Sequence, residues 1–324
     1  MKTRQPASRP AARPRLEHLE DRITPIAGDL LRTLANPTPA LADQFGVSVA
    51  IDGNLMAVGA PFDDPGGVTD AGSVYVFNIT TGALVATIPN PSPAAGDGFG
   101  FSVALKEGQG VVWVGAPFDD PGGVTDSGTV YAFSTSGGSP LLIENNPSPA
   151  VGDQFGYSLA SERSGTFLAI GAPGDDFGAT DAGRAYLASF TGGLIPSGTA
   201  SNPTPAVGDR FGEAVAVTVL GELLVGAPFD DPGGVTDAGT AYLYDTSVGG
   251  ATITFNNPTP APDDRFGNAV ALGGNSMMAV IGAPKDDTGA TDAGSAYVFD
   301  AYAAGETPGA LIRTLNNPSP APGD

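Results

Sequence analysis

The densest sets of oxygen ligands in the sequence lie in short acidic loops that recur along the chain. The first loop, FDDPGGVTDAG at residues 62–72, holds three aspartates, a threonine hydroxyl and several glycine carbonyls. Calcium takes roughly six to eight oxygen ligands in a flexible cage, and glycines allow the tight backbone turns that bring such ligands together. The supply of oxygen ligands predicts calcium-binding loops, while the spacing of these ligands fits no known calcium loop closely.

Each of the five loops carries an adjacent aspartate pair, followed by a third aspartate in a Thr-Asp-x-Gly motif. The predicted calcium ligands are Asp63, Asp64, Asp70, Asp119, Asp120, Asp126, Asp175, Asp176, Asp181, Asp230, Asp231, Asp237, Asp286, Asp287 and Asp292. The third and fifth loops are one residue shorter than the others. A second interpretation stays open, because aspartate side chains also cap turns by accepting hydrogen bonds from nearby backbone amides.

Paired carboxylates are also the acid and base of glycoside hydrolases. These pairs recur five times, however, whereas an active site usually breaks the symmetry of a repeat. The chain has no cysteine, and its one histidine, His18, lies outside the repeats, which excludes a Ser-His-Asp triad, thiol chemistry and a multi-histidine metal site in the body. The sequence favours a non-catalytic protein, with a carboxylate-based glycoside hydrolase as the weakest alternative.

The loops belong to a longer unit that is repeated five times at a spacing of 54–56 residues. Every copy has the same order of motifs: Phe-Gly, Gly-Ala-Pro, the acidic loop, a tyrosine in an apolar run, and Asn-Pro-(Ser/Thr)-Pro. The Phe-Gly motifs begin at Phe45, Phe99, Phe155, Phe211 and Phe266, and the Gly-Ala-Pro motifs begin at Gly59, Gly115, Gly171, Gly226 and Gly282. Such a period indicates a solenoid or a propeller.

The sequence of one unit predicts four short strands. Residues 45–52, 55–60, 73–78 and 83–88 are apolar or alternating runs bounded by Gly, Pro and Asp. Helical periodicity over 11 residues is not visible in the body. The pattern predicts an all-β fold, a β-propeller of about five four-stranded blades, in which stacking buries both faces of each sheet.

The two ends of the repeat region duplicate one another. Residues 30–43 closely match residues 311–324, so the chain holds five sets of first-to-third strands but six fourth strands. Either one fourth strand is surplus in a five-bladed ring, or the five units are part of a larger ring. The predicted organisation is a disordered, basic, Pro/Arg-rich arm at residues 1–29 and a propeller at residues 30–324. The predicted units are about 43–96, 97–152, 153–208, 209–263 and 264–324.

The chain is strongly acidic, with a formal net charge of −21. Half of its 14 basic residues lie within the first 32 positions, so the repeat region is more acidic still. Such a surface repels nucleic acid phosphates and anionic membranes and attracts cations. No apolar stretch approaches the roughly 18 residues of a membrane span. We therefore expect no nucleic acid partner and no membrane span.

The motifs Phe45-Gly46 and Gly59-Ala60-Pro61, with their four counterparts, resemble those of the FG-GAP repeat family, which includes the integrin α-chain β-propeller and many bacterial extracellular proteins. The resemblance covers about residues 30–324. It implies a β-propeller, typically seven-bladed, that acts in adhesion or in binding a protein or glycan ligand. The calcium loop of many relatives, Asp-x-Asp-x-Asp-Gly, is absent here, so its ligands do not carry over.

Residues 15–25, RLEHLEDRITP, resemble a short leader found on large exported proteins of planctomycetes. This resemblance implies a secreted or cell-surface location, although the segment lacks the apolar region of an ordinary signal peptide. Two non-catalytic functions remain open. A binding or adhesion module predicts a clustered patch of side chains that depart from the repeat, whereas a passive structural array predicts uniform surfaces. The departures include Val47, Phe101, Tyr157, Glu213, Asn268 and Lys285.

Overall fold

The computed structural model describes residues 30, 32–162, 166–190, 194–245, 251–273, 278–301 and 308–323. Residues 36–324 form one compact unit, which contains all the strands described below. The arm and leader predicted at residues 1–29 lie outside the described residues, and the division of the chain at residue 30 stays a prediction. No helix within the described ranges is long and apolar enough to cross a membrane.

Within these described ranges, twenty strands make up nearly all the regular structure. They are β1 (Ser48–Asp52), β2 (Leu55–Ala60), β3 (Ser73–Asn78), β4 (Leu84–Pro89), β5 (Ser102–Lys106), β6 (Val111–Ala116), β7 (Thr129–Ser134), β8 (Leu142–Asn145), β9 (Ser158–Ser161), β10 (Phe167–Ala172), β11 (Arg184–Phe190), β12 (Leu194–Ser201), β13 (Ala214–Val217), β14 (Glu222–Ala227), β15 (Thr240–Asp245), β16 (Ala251–Asn256), β17 (Ala269–Leu272), β18 (Met278–Ala283), β19 (Ser295–Asp300) and β20 (Leu311–Asn316). Single turns of 3₁₀ helix lie at Pro65–Gly67, Glu107–Gln109, Pro121–Gly123 and Pro232–Gly234.

The four strands of each unit form one antiparallel sheet in chain order, so sheet 1 is β1 to β4 and sheet 5 is β17 to β20. In sheet 1 the register places Val49 opposite Val58, and Val58 opposite Tyr75. The predicted strand at 45–52 begins later, at Ser48, because Val47 N donates to Gln44 O and closes a turn. The prediction of an all-β fold with five four-stranded sheets is confirmed.

Successive sheets stack face to face, and each core cluster combines two neighbouring sheets. Ala57, Val74 and Val76 lie on the rear face of sheet 1, by which we mean the face turned toward the next sheet. They pack against Val112 and Val114 on the front face of sheet 2. Since each sheet shares its apolar faces with its neighbours, the stack is the arrangement of a β-propeller-like repeat protein.

The repeated glycines allow the sheets to approach closely. A Cβ atom built on Gly59 would lie 2.0 Å from the carbonyl oxygen of Gly100 in the next sheet. The same contact recurs between Gly115 and Gly156, between Gly171 and Gly212, and between Gly226 and Gly267. The glycines of Phe-Gly and Gly-Ala-Pro are therefore two halves of one contact between sheets.

The stack is open between its last and first sheets. The first strands lie side by side in the order β1, β5, β9, β13 and β17, and within the described residues no packing of this kind joins β17 to β1. The fourth strand of sheet 5 is β20, whereas residues 30 and 32–35 form no strand. Of the two duplicated segments, residues 311–316 thus complete the fifth sheet.

Candidate functional site

The first aspartate of each acidic loop accepts a hydrogen bond from a tyrosine on the third strand of its own sheet. In sheet 1, Tyr75 Oη donates to Asp63 Oδ2 at 2.6 Å, and Asp63 is buried. The same bond joins Tyr131 to Asp119, Tyr186 to Asp175, Tyr242 to Asp230 and Tyr297 to Asp286. Burial, reinforced by the bond to Asp63, raises the pKa of Tyr75 to about 12, so this tyrosine stays a donor at physiological pH.

The second and third aspartates of each loop form a turn with one another. Asp64 Oδ1 accepts a hydrogen bond from the backbone N–H of Asp70 at 2.8 Å. Asp70 has a φ of 54°, a left-handed conformation that aspartate tolerates better than most residues. The bond recurs between Asp120 and Asp126, Asp176 and Asp181, Asp231 and Asp237, and Asp287 and Asp292.

All fifteen predicted ligands lie in the loops between the second and third strands of the five sheets. One oxygen of each first and second aspartate already accepts a hydrogen bond from the protein. Across the described ranges, no group of three or more His, Cys, Asp or Glu side chains is placed to hold a metal ion. This geometry matches the turn-capping interpretation, and calcium binding by the loops stays a prediction.

A second set of aspartates, which was not predicted from the sequence, lies in the connectors between sheets. Asp97 is buried, and its Oδ2 accepts hydrogen bonds from Asn90 Nδ2 at 2.7 Å and from Ala94 N at 2.6 Å. The Asn–Asp bond recurs between Asn36 and Asp43, Asn146 and Asp153, Asn202 and Asp209, and Asn257 and Asp264. The signal in the sequence is an aspartate seven residues after the asparagine of each Asn-Pro motif.

The pKa is raised in four of the connector aspartates, which are Asp97, Asp153, Asp209 and Asp264. Burial raises the pKa of Asp97 to about 6, against the opposing effect of the hydrogen bond from Ala94 N. The negative charge of Asp119 in the next loop acts in the same direction as burial. The pKa values of Asp153, Asp209 and Asp264 are also raised to about 6, with burial again the main cause.

Side chains that depart from the repeat meet at the start of the first strands. Phe101, Tyr157 and Glu213 each follow a Phe-Gly motif, directly before β5, β9 and β13. The rings of Phe101 and Tyr157 lie 4.7 Å apart, and Tyr157 Oη donates to Glu213 Oε1 at 3.0 Å. Phe118 packs edge-on against Phe101 at 5.5 Å. Three successive sheets thus contribute to one contiguous row.

Arg210 completes this row. Its Nε donates to Glu213 Oε2 at 2.7 Å, its Cζ lies 5.4 Å from the centre of the Tyr157 ring, and one terminal nitrogen donates to Gln154 Oε1 at 3.4 Å. We call Phe101, Phe118, Tyr157, Arg210 and Glu213 the inner row. Of the other predicted departures, Val47 and Asn268 are exposed directly before β1 and β17, whereas Lys285 pairs with Asp263 at 2.5 Å.

Comparison with known proteins agrees with this architecture. A family model described as the FG-GAP repeat matches residues 38–77, 85–133, 148–188, 199–244 and 259–299. No curated protein matches the chain. The five matches follow the five sheets in order and together cover more than half of the sequence. The chain belongs to the FG-GAP repeat family.

Proposed function

We propose that the chain is a non-catalytic binding or adhesion module, and that it presents the inner row to a protein or glycan ligand. The observation that carries this proposal is the contact of Phe101, Tyr157 and Glu213, which stand at one position of three successive repeats. A passive array needs only the residues that stack its sheets. A cluster of departures at one edge of the stack instead supports a surface with a specific partner.

The chemistry of the inner row suits recognition. Tyrosine and arginine supply much of the energy of protein interfaces, because they combine a large contact area with directional hydrogen bonds. Tyr157 and Arg210 are half-buried, and Glu213 holds both of them in place. Because these side chains are already ordered, a ligand that binds them has less conformational entropy to remove.

The acidic loops support a non-catalytic function. A carboxylate-based hydrolase needs one acid and one base in different environments, so one pair should differ from the others. All five aspartate pairs instead share two hydrogen bonds, one from a tyrosine and one from a backbone amide. The further contacts of Asp175 and Asp286, a backbone hydrogen bond to each and an ion pair between Asp175 and Arg184, are of the kinds found in structural loops. These bonds explain the pairs by structure alone.

An extracellular or cell-surface location belongs to the same proposal. The FG-GAP family is typical of extracellular proteins, and the leader-like segment at residues 15–25 points the same way. The acidic composition keeps such a domain soluble and gives it no attraction to nucleic acid.

Glycan arrays and panels of extracellular proteins, probed with the full chain, test this proposal. We expect a ligand whose affinity falls at least about tenfold in Arg210→Ala and in Tyr157→Ala, as for residues at the centre of an interface. Val151→Ala is the matched control, because Val151 is exposed in a connector and lies outside the inner row. Absence of any ligand, or equal binding by all variants, contradicts the proposal.

A further inference from the structure

The front face of sheet 1 exposes aliphatic side chains at positions whose counterparts in sheets 2 and 4 are buried. Val49 and Ile51 are 62% and 64% exposed. Their counterparts in sheet 2, Val103 and Leu105, are 7% and 5% exposed, because they pack against the rear face of sheet 1. Exposed aliphatic side chains on a sheet face that is buried elsewhere in the repeat mark a missing neighbour.

The rear face of sheet 5 shows the complementary exposure. Val280 and Leu315 are 37% and 47% exposed. Their counterparts in sheet 4, Leu224 and Phe255, are 0% and 1% exposed, since they pack against the front face of sheet 5. The stack therefore ends in a front face exposed along β1 and a rear face exposed along β18 and β20, whereas Val58, Tyr75 and Phe77 in the middle of the front face of sheet 1 stay buried.

The glycine contact between sheets is also split between these two ends. A Cβ atom built on Gly46, in the first Phe-Gly motif, would have no neighbour within 4 Å. One built on Gly282, in the last Gly-Ala-Pro motif, would meet only Ala269 of its own sheet, at 3.6 Å. Between sheets 4 and 5, by contrast, a Cβ on Gly226 would lie 1.9 Å from Gly267 O. Gly282 and Gly46 are thus the two unused halves of that contact.

We propose that a second copy of this chain places the front face of its sheet 1 on the rear face of sheet 5, head to tail. The occupant follows from the repeat itself, because these are the two surfaces that meet at each of the four joints within the chain. The contact between copies continues that established interface, with Val49 and Ile51 of one copy against Val280 of the other. A head-to-tail contact leaves a free face at each end, so it can extend beyond a dimer.

Each joint within the chain holds a single connector, whereas a joint between two copies would bring two connectors together. One of the two therefore has to be displaced. Residues 36–43 are already fixed on sheet 1, where Thr38 Oγ1 lies 2.5 Å from Tyr75 Oη and Asn36 bonds to Asp43. Residues 318–323 are exposed, and Gly323 N donates to Thr291 O at 2.9 Å. Because the two segments are near copies in sequence, residues 36–43 of the second copy replace residues 317–323 of the first.

Analytical ultracentrifugation of the full chain over a range of concentrations tests the proposal. We expect masses above that of one chain that increase with concentration. Ile51→Lys places a charge on the front face of sheet 1, and Val280→Lys places one on the rear face of sheet 5. Either charge should prevent the apolar contact between copies, so each variant alone is expected to sediment as a single chain. Val151→Lys, an exposed change in a connector, is the matched control and should associate like the unmodified chain.

Mixing the two variants gives the decisive result. Ile51→Lys keeps an intact rear face and Val280→Lys keeps an intact front face, so an equimolar mixture should form a dimer of one copy of each and nothing larger. Val49→Lys and Leu315→Lys are the replacement pair if a first variant fails to fold, as judged by circular dichroism. A single-chain mass for the unmodified chain at every concentration overturns the proposal, as expected if a different polypeptide covers these faces. Association that survives both substitutions, or a mixture that stays single-chain, overturns it too.

Discussion

Tyr75 donates a 2.6 Å hydrogen bond to Asp63, and this bond joins the acidic loop of the first unit to the third strand of its sheet. Thr38 Oγ1 lies 2.5 Å from the same tyrosine oxygen. Since the tyrosine proton is directed to Asp63, the threonine hydroxyl donates to Tyr75. One tyrosine hydroxyl therefore links a strand, an acidic loop and the connector that enters the sheet.

Loss of the tyrosine hydroxyl should destabilise the fold. Tyr242→Phe leaves Asp230 buried without its donor, and an unsatisfied buried group costs about 1–3 kcal/mol of unfolding free energy. Urea denaturation measures the change. Tyr157→Phe is the matched control, because its partner Glu213 is only half-buried, and we expect a smaller loss. Equal losses in the two variants would show that burial of the aspartate is not the cause.

The connector aspartates should make the protein more stable at mildly acidic pH. The folded-state pKa of Asp97 is about 6, above its ordinary value of 3.8, so the folded chain binds the proton more tightly than the unfolded chain does. This stabilisation is complete below about pH 4 and is lost as the pH rises through about 6. Each such site contributes up to roughly 3 kcal/mol. We therefore expect a higher melting temperature at pH 5 than at pH 7.

Asp97→Asn isolates one of these sites. The amide oxygen can still accept the hydrogen bonds from Asn90 and Ala94, but the side chain no longer titrates. The difference in unfolding free energy between pH 5 and pH 7 should shrink relative to the unmodified chain. An unchanged difference would mean that the general loss of negative charge on acidification, and not the connector sites, sets the pH dependence.

Much of the fold could be predicted from the sequence, because its signals are local. Alternating apolar residues and Gly, Pro and Asp at the turns place β2 and β3 at Leu55–Ala60 and Ser73–Asn78, as predicted. The sequence did not show which aspartate of each pair bonds to the tyrosine and which bonds to the backbone amide. Which carboxylate faces a tyrosine twelve residues later depends on how the loop folds back, and the spacing of Asp63 and Asp64 does not encode this.

The connector sites and the open stack were not predicted from the sequence for a different reason, because both depend on how separate segments fold against one another. The spacing of seven residues between Asn90 and Asp97 recurs in every unit, but the sequence does not show that the connector folds back so that the two side chains bond. Closure depends on the angle between successive sheets, which is set by side-chain packing in each joint. Near-identical repeats carry the same residues whether or not sheet 5 meets sheet 1.

Calcium binding by the acidic loops can be separated from turn capping. If the loops bind the ion, calcium in excess raises the melting temperature relative to a chelator, and a concentration about 100-fold above Kd adds about 2.7 kcal/mol. Asp231→Asn keeps an oxygen to accept the bond from Asp237 N but removes a charged ligand. We expect this variant to melt normally without calcium and to gain less with it. An unchanged melting temperature at saturating calcium leaves turn capping as the only function of the loops.

The contact between glycines should make one position in the repeat intolerant of alanine in sheet 4 and tolerant of it in sheet 5. Gly226→Ala places a methyl group 1.9 Å from the carbonyl oxygen of Gly267, and backbone on both sides has to move. We expect a loss of about 3 kcal/mol or more in unfolding free energy, the upper end for overpacking. Gly282→Ala is the matched control, because its nearest neighbours lie 3.6 Å away at an ordinary contact distance.

Gly282→Ala also connects stability to assembly. If the rear face of sheet 5 receives Gly46 of a second copy, the new methyl group occupies the space that the partner needs. This variant should then unfold at nearly the same urea concentration as the unmodified chain but sediment as a single chain. Since the same substitution in sheet 4 destabilises the monomer itself, the pair separates the effect of the contact within the chain from its effect between chains. Normal association of Gly282→Ala would mean that the copies do not meet through this glycine.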